Sequence, residues 1–218
     1  MQILLVGTGN MARGISTRLV AGGHEVAFYN PDPGDAEKLA ADVRGTGRTR
    51  VARDLDEGIR ASDIIILASW YAVNLQTARE RSAALEGRIL IDISNPLNET
   101  FDALVTEGGP SGAEHIRDAV PTSTRVVKAF NTTFAGTLLE GSVAGQPLDV
   151  FIAGDDEGAR RTVGDLVTSG GMNPIEVGPL ERSRQLEAMG FLGISLQDRL
   201  GTGFMSGWKL VMPQKSAA

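Results

Sequence analysis

The run Gly7-Thr8-Gly9-Asn10-Met11-Ala12 constrains this chain more than any other stretch of similar length. It follows an apolar segment, 3–6, and opens a helix-length amphipathic segment, 11–21, so it reads as a turn from a buried strand into a helix. Each small residue then has a task. Gly7 permits the tight turn, Gly9 removes the Cβ that would collide with a pyrophosphate, and Ala12 lets the helix pack close to the strand. The helix N-terminus adds unpaired N–H groups and a partial positive charge, both suited to phosphate. A second apolar strand begins about 20 residues further on, which completes the G-x-G-x-x-A pattern of a dinucleotide-binding βαβ unit.

The rest of the chain repeats the alternation. Apolar runs at 3–6, 25–29, 49–52, 63–68, 88–93, 125–130, 149–153 and 174–177 predict strands. Amphipathic segments at 11–21, 36–43, 55–61, 72–85, 113–119 and 158–169 predict helices between them. Continuous apolar strands alternating with helices give an α/β fold, a doubly wound, mostly parallel Rossmann sheet of about eight strands. Gly22-Gly23 and Gly170-Gly171 supply left-handed helix ends. After Gly178-Pro179 the pattern changes to one longer helix, 180–200, interrupted by Gly190 and Gly193, and then a tail, 201–218. This predicts a dinucleotide-binding domain over 1–180 and a small C-terminal helical cap over 181–218.

Composition narrows the chemistry. The chain has no cysteine and two histidines, so thiolate nucleophiles and Cys- or His-built metal centres are not expected. A net charge of −6 disfavours a nucleic-acid partner. The N-terminus leads directly into a strand without a basic region, and no apolar run approaches bilayer-spanning length, so the expectation is a cytoplasmic protein with no membrane partner.

Ligands in open α/β sheets lie at the carboxyl ends of the strands, and three of those ends carry polar and aromatic residues. They are Ser69-Trp70-Tyr71, Ser94-Asn95-Pro96-Leu97 and Lys128-Ala129-Phe130-Asn131-Thr132-Thr133-Phe134. Strand alternation would put Lys128 and Phe130 on one face and Ala129 and Asn131 on the other. Lys128 and Asn131 are the candidate catalytic groups, although a lysine reaching past the sheet to solvent is the commoner arrangement. His24 reads as structural and His115 as a surface-helix residue. After the second strand, Asn30-Pro31-Asp32 offers neither the acidic residue that selects NAD nor the arginine that selects NADP. Asp32 would repel a 2′-phosphate if it pointed inward, Lys38 or Arg13 could offset that, and a stiff turn with Asp32 in water is the alternative. The choice between NADP and NAD stays open on these residues.

Several segments resemble one family. Gly7-Thr8-Gly9-Asn10-Met11, Trp70, Ala153-Gly154-Asp155-Asp156 and above all Gly178-Pro179-Leu180-Glu181-Arg182-Ser183-Arg184 are similar to the NADP oxidoreductases that use the deazaflavin coenzyme F-420. The ending Gly203-Phe204-Met205-Ser206-Gly207-Trp208-Lys209-Leu210 resembles that family's terminal segment, which helps form the deazaflavin pocket. Val127-Lys128-Ala129-Phe130-Asn131-Thr132 is closer to the oxidoreductase domains of six-transmembrane metalloreductases, which pass hydride from NADPH to a flavin. Two departures stand out: Asn30-Pro31-Asp32 replaces a Ser-Arg or similar basic pair, and the segment around Asn131 lacks the family's usual histidine.

The resemblance implies an oxidoreductase that moves hydride between NADP(H) and coenzyme F-420 or a flavin as co-substrate. It also implies a homodimer with C-terminal elements at its interface. On that reading Gly7, Thr8, Gly9, Asn10 and Met11 hold the pyrophosphate and Asn30 meets the adenosine ribose. Ser69, Trp70, Asn95, Pro96 and Ala129 border the nicotinamide, while Asn131, Thr132, Met205, Ser206, Gly207 and Trp208 border the second ring. The absence of a Tyr-x-x-x-Lys pair or a Ser–His–Asp set suits ring-to-ring transfer, which rests on orientation and proximity. Two further readings are a small imine or carbonyl reductase, since Gly9-Asn10-Met11-Ala12 also resembles pyrroline-carboxylate reductases, and a non-catalytic dinucleotide sensor.

Overall fold

The computed structural model describes residues 1–43, 45, 47–211 and 213. Val, Ile and Leu dominate the central apolar runs, which are buried on both faces as strands of one sheet, whereas the runs at 48–51 and 173–178 form its partly buried edges. The strands β1 (Gln2–Val6), β2 (Glu25–Tyr29), β3 (Arg48–Val51), β4 (Ile64–Leu67), β5 (Ile89–Asp92) and β6 (Arg125–Lys128) are parallel, in the order 3-2-1-4-5-6. A separate hairpin of β7 (Ser142–Val143) and β8 (Gln146–Pro147) follows, and then β9 (Asp149–Gly154) and β10 (Asn173–Gly178) extend the sheet beyond β6. β10 is parallel to β9, whereas β9 is antiparallel to β6. The sheet is therefore the expected eight-stranded, mostly parallel one.

Side chains leave alternate faces of each strand. Ile3 and Leu5 of β1 enter one core, with Ile15 and Leu19 of α1 (Asn10–Ala21) and Leu39 of α2 (Pro33–Asp42). Leu4 and Val6 enter the other, with Leu55 and Ile59 of α3 (Leu55–Arg60) and Ala78 of α4 (Tyr71–Glu80). Ile116 of α5 (Gly112–Asp118) joins this second face, and Leu138 of α6 (Ala135–Glu140) and Val163 of α7 (Glu157–Ser169) join the first. Each fully buried Leu or Ile contributes roughly 1.5–3 kcal/mol, so layers on both faces are what hold a sheet this wide. A third cluster of Phe151, Ala153, Leu186 and the partly buried Trp208 seats α8 (Ser183–Leu200) on β9.

Several expectations need adjustment. The predicted helix at 72–85 is α4 followed by a separate 3-10 turn, Ser82–Leu85. α6 and the β7–β8 hairpin were not expected. Gly190 and Gly193 do not interrupt α8, because each gives up its Cβ to a close neighbour. A Cβ on Gly190 would collide with the Asn95 carboxamide, and one on Gly193 would lie 3.2 Å from Trp208 Nε1. Gly23 and Gly171, with φ of 82° and 78°, do provide the left-handed ends of α1 and α7. Part of the expected tail, residues 212 and 214–218, lies outside the described residues. Among the described residues, no helix is long and apolar enough to cross a membrane.

Candidate dinucleotide and acceptor site

The strand order reverses between β1 and β4, and both strands end at the same edge of the sheet. That crevice is where open α/β sheets take ligands. Gly7 bridges it with φ of 114°, and a Cβ there would lie 2.6 Å from Ala68 O at the end of β4. Only glycine fits such a position. Gly9 differs. It is the N-cap residue of α1, and a Cβ on it would meet no protein atom within 4 Å. No side chain caps α1 and its first turn holds no acidic residue, so its amides and dipole face that open space. Ala12 is fully buried behind it, and Met11 packs partly against the same core while Asn10 stands exposed at the helix start. A pyrophosphate fits this cradle on geometry and on charge.

Thr8 is tied to the end of β2 by Asn30, whose Nδ2 donates to Thr8 Oγ1 at 2.6 Å. Asp32 does not reach inward. Its carboxylate accepts from Gly34 N at 2.9 Å and caps α2.

At the end of β4, Ser69 is half-buried and its backbone N–H donates to Asn74 Oδ1. Trp70 is 66% exposed and meets Phe101 at a ring-centroid distance of 5.7 Å. The segment that delivers Phe101 starts at Pro96, whose carbonyl accepts from Val105 N at 2.7 Å. After β6, Ala129 and Phe130 are fully buried, and Phe130 takes a left-handed φ of 64°. This turn ends the strand alternation, so Phe130 packs in the core with Ala129 and not on the face of Lys128. Asn95 and Asn131 then pair reciprocally, Asn131 Nδ2 donating to Asn95 Oδ1 and Asn95 Nδ2 to Asn131 O, each at 2.9 Å. Asn131 Oδ1 and Thr132 Oγ1 are buried without a hydrogen-bond partner among the described residues. Burying such atoms is costly unless something satisfies them.

Lys128 does not reach solvent. It is completely buried, and its ammonium donates to Asp92 Oδ2 at 2.7 Å, to Glu187 Oε1 at 2.8 Å and to Ser94 O. Burial would push its pKa down, but Asp92 and then Glu187 outweigh that and hold it above the ordinary lysine value. All three ammonium hydrogens are engaged, which leaves none for a substrate. Its contribution is to hold the end of β5 and helix α8 in place. Glu187 also accepts from Gly112 N and Ala113 N at the start of α5, and Asp92 Oδ1 accepts from Ser94 Oγ and from Asn74 Nδ2.

Asp92, Asn74 and Glu187 escaped the sequence reading. A carboxylate inside the run Ile89-Leu90-Ile91-Asp92 was the available signal, since a buried charge requires a partner. His115 is a half-buried residue whose Nδ1 lies 2.7 Å from Tyr71 OH. His24 is buried at the opposite edge of the sheet, against Ser169 Oγ.

The tail returns across the ligand edge. Phe204 stacks edge-on against Phe134 at 5.4 Å, and Met205 lies over Gly136 of α6. Ser206 bonds Gln197 of α8, Gly207 lies beside Val143 and Leu148, and Trp208 joins the cluster on β9. Of the four tail residues expected at a second ring, Met205 is 43% exposed, whereas Ser206 and Trp208 are largely spent on protein contacts.

Comparison with known proteins finds relatives along most of the chain. Residues 2–96 match the family model described as NADP oxidoreductase, coenzyme F420-dependent. That match spans 95 of the chain's 218 residues, those of the dinucleotide-binding half. An F420-dependent NADP reductase of Methanocaldococcus jannaschii is 28% identical over 92% of this chain and 95% of its own length. Metalloreductase STEAP3 of Rattus norvegicus is 29% identical over 85% of this chain, which spans only 35% of that protein. A crystal structure from Arthrobacter sp. FB24, provisionally named an F420-dependent NADP-reductase, superposes with a TM-score of 0.84 at 26% identity. It covers 97% of this chain and 100% of its own. The family-model match spans β1 through the end of β5, and the similarity to the M. jannaschii protein extends over most of the chain.

Proposed function

We propose that this protein is an oxidoreductase that transfers hydride between NADP(H) and a deazaflavin such as coenzyme F-420, or a flavin, lying over the nicotinamide. The observation that carries the reading is the uncapped start of α1 with open space at Gly9, a cradle for a pyrophosphate at the switch point of the sheet. When bound, the nicotinamide supplies or takes the hydride and the second ring is its counterpart.

The chain's own residues position the two rings. Gly7 and Gly9 bring backbone close to the phosphates, and Asn30 holds Thr8 against the ribose end. Ser69, Trp70, Asn95 and Pro96 frame the nicotinamide edge, whereas Ala129, expected beside them, is fully buried in the core behind it. Asn131 Oδ1 and Thr132 Oγ1 are a buried acceptor and hydroxyl without a protein partner just beneath that edge. Phe204 and Met205 overhang the same edge and exclude water from it. The Lys128–Asp92–Glu187 cluster acts through Ser94 and α8 to keep the Asn95–Asn131 pair in register. Holding two rings in a near-attack arrangement supplies most of what a direct hydride transfer requires. The functional unit in this reading is a homodimer, with the exposed Leu192 and Leu200 of α8 near its contact surface.

Rapid mixing of the protein with NADPH and coenzyme F-420 tests the proposal. Bleaching of the deazaflavin band at a rate set by protein concentration is the expected result, and no turnover above background with either deazaflavin or flavin would sink it.

One observation favours a second reading, reduction of a small imine or carbonyl: the Tyr71–His115 pair could supply a proton. Burial and the nearby Glu187 raise the Tyr71 pKa, so its hydroxyl stays protonated at neutral pH. Tyr71→Phe separates the two readings. It should leave deazaflavin reduction within about twofold and abolish carbonyl reduction if the second reading holds.

A further inference from the structure

The turn after β2 holds no cation. Asn30 is committed to Thr8, Pro31 has no polar side chain, and the Asp32 carboxylate is occupied by Gly34 N. A phosphate on the adenosine 2′-oxygen would find no positive partner there. The helices on either side supply two. Arg13 in α1 and Lys38 in α2 line a groove of about 270 Å³ with Thr8, Gly9, Asp35 and Leu39. It opens beside Gly9, on the side to which a dinucleotide with its pyrophosphate on α1 directs its adenosine ribose. Arg13 is held at one end only, Nη2 to Asp42 Oδ2 at 2.7 Å, in an ion pair whose side chains are 39% and 40% exposed. The rest of its planar fork remains available to an anion. Lys38 is exposed and has no ion pair among the described residues.

We infer that Arg13 and Lys38 read the 2′-phosphate of NADP(H), so that the choice between NADP and NAD is carried by two helices and not by the strand-end loop. Asp35 stands in the same groove and opposes that phosphate, which moderates the preference. The inference rests on the dinucleotide reading above and specifies which phosphate pattern that site selects.

Calorimetric titration of the full chain with NADPH and NADH, at one fixed salt concentration, tests it. Arg13→Ala should weaken NADPH about tenfold or more, the scale of a lost charge-assisted hydrogen bond. NADH should change less than about twofold, and its retained binding shows that the variant is folded. Lys38→Ala should weaken NADPH by about threefold to tenfold, and Asp35→Asn should strengthen it by about twofold to threefold, both leaving NADH alone. Equal affinity of the unaltered protein for the two dinucleotides, or an Arg13→Ala variant that shifts both together, overturns this inference and leaves the dinucleotide reading standing. Failure of both dinucleotides to bind overturns the two together.

Discussion

α1 and α7 are of nearly equal length, 12 and 13 residues, and pack on the same face of the sheet, yet they begin in opposite ways. α7 starts on Asp156, whose carboxylate accepts from Ala159 N at 2.7 Å, and Glu157 adds a second negative charge to the first turn. Its dipole is neutralised by the chain itself. α1 starts on Gly9, with no cap and no acid. A cap contributes about 1 kcal/mol, so omitting one forgoes stability in the free protein. The difference teaches where the fold keeps its electrostatic potential for something outside the chain. α5 marks the other extreme: Ser111 and Glu114 form a capping box at its start, and Glu187 bonds two more of its amides.

The largest effect is expected at that doubly held start. Glu187→Ala leaves Lys128 buried with one carboxylate fewer and frees the amides of Gly112 and Ala113, which should cost about 3–5 kcal/mol in urea unfolding. A loss below about 1 kcal/mol would mean that the cluster is not a structural tie. Next is the open start. Gly9→Asp installs the kind of cap that α7 has, and should lower dinucleotide affinity by about 100-fold or more while the free protein melts no lower. Unchanged affinity would show that the cradle is not where the pyrophosphate lies. Asp156→Ala makes the converse change: about 1 kcal/mol of stability is lost and dinucleotide binding is unaltered.

The smallest effect is one of pH. The Arg184 guanidinium, helped by Ser111, holds the Glu114 carboxyl down at about 2, against an ordinary value of 4.5. A folded value below the unfolded one gives stability that is fully present above about pH 4.5 and lost as pH falls toward 2. The stability gap between the unaltered protein and Glu114→Gln, read as urea midpoints, should therefore narrow between pH 6 and pH 2. A constant gap would show that the bridge does not survive in solution.

How much was legible follows from distance along the chain. The edge strands β3 and β10 carry a weaker apolar signal, but the central strands are legible because each is a local apolar run, and the β1–α1 turn because its glycines lie two positions apart. The direction of β9 is not, since nothing in Asp149-Val150-Phe151-Ile152 records whether it meets β6 head to head. α6 was missed because six residues containing a glycine make a weak periodic signal. The sequence marks Lys128 as a charged strand-end residue, for which a path to solvent is the commoner arrangement, yet it is completely buried. Its partners Asp92 and Glu187 lie 36 and 59 positions away, and only the folded sheet brings them together. The Asn95–Asn131 pair, 36 positions apart, is of the same kind, although both members had been singled out as strand-end residues.

The reversal of β9 also sets an order of assembly. Because β9 starts at the ligand edge, Asp149 is buried there, and besides Asn173 its partners are Lys209 Nζ and Leu210 N, about 60 residues later in the chain. During synthesis β1 to β6 have all their neighbours well before those residues emerge, but the Asp149 carboxylate does not. The outer two strands therefore lock only once the tail arrives, and hydrogen exchange on ribosome-held chains that end before Lys209 should find β9 and β10 less protected than β1, β4 and β5.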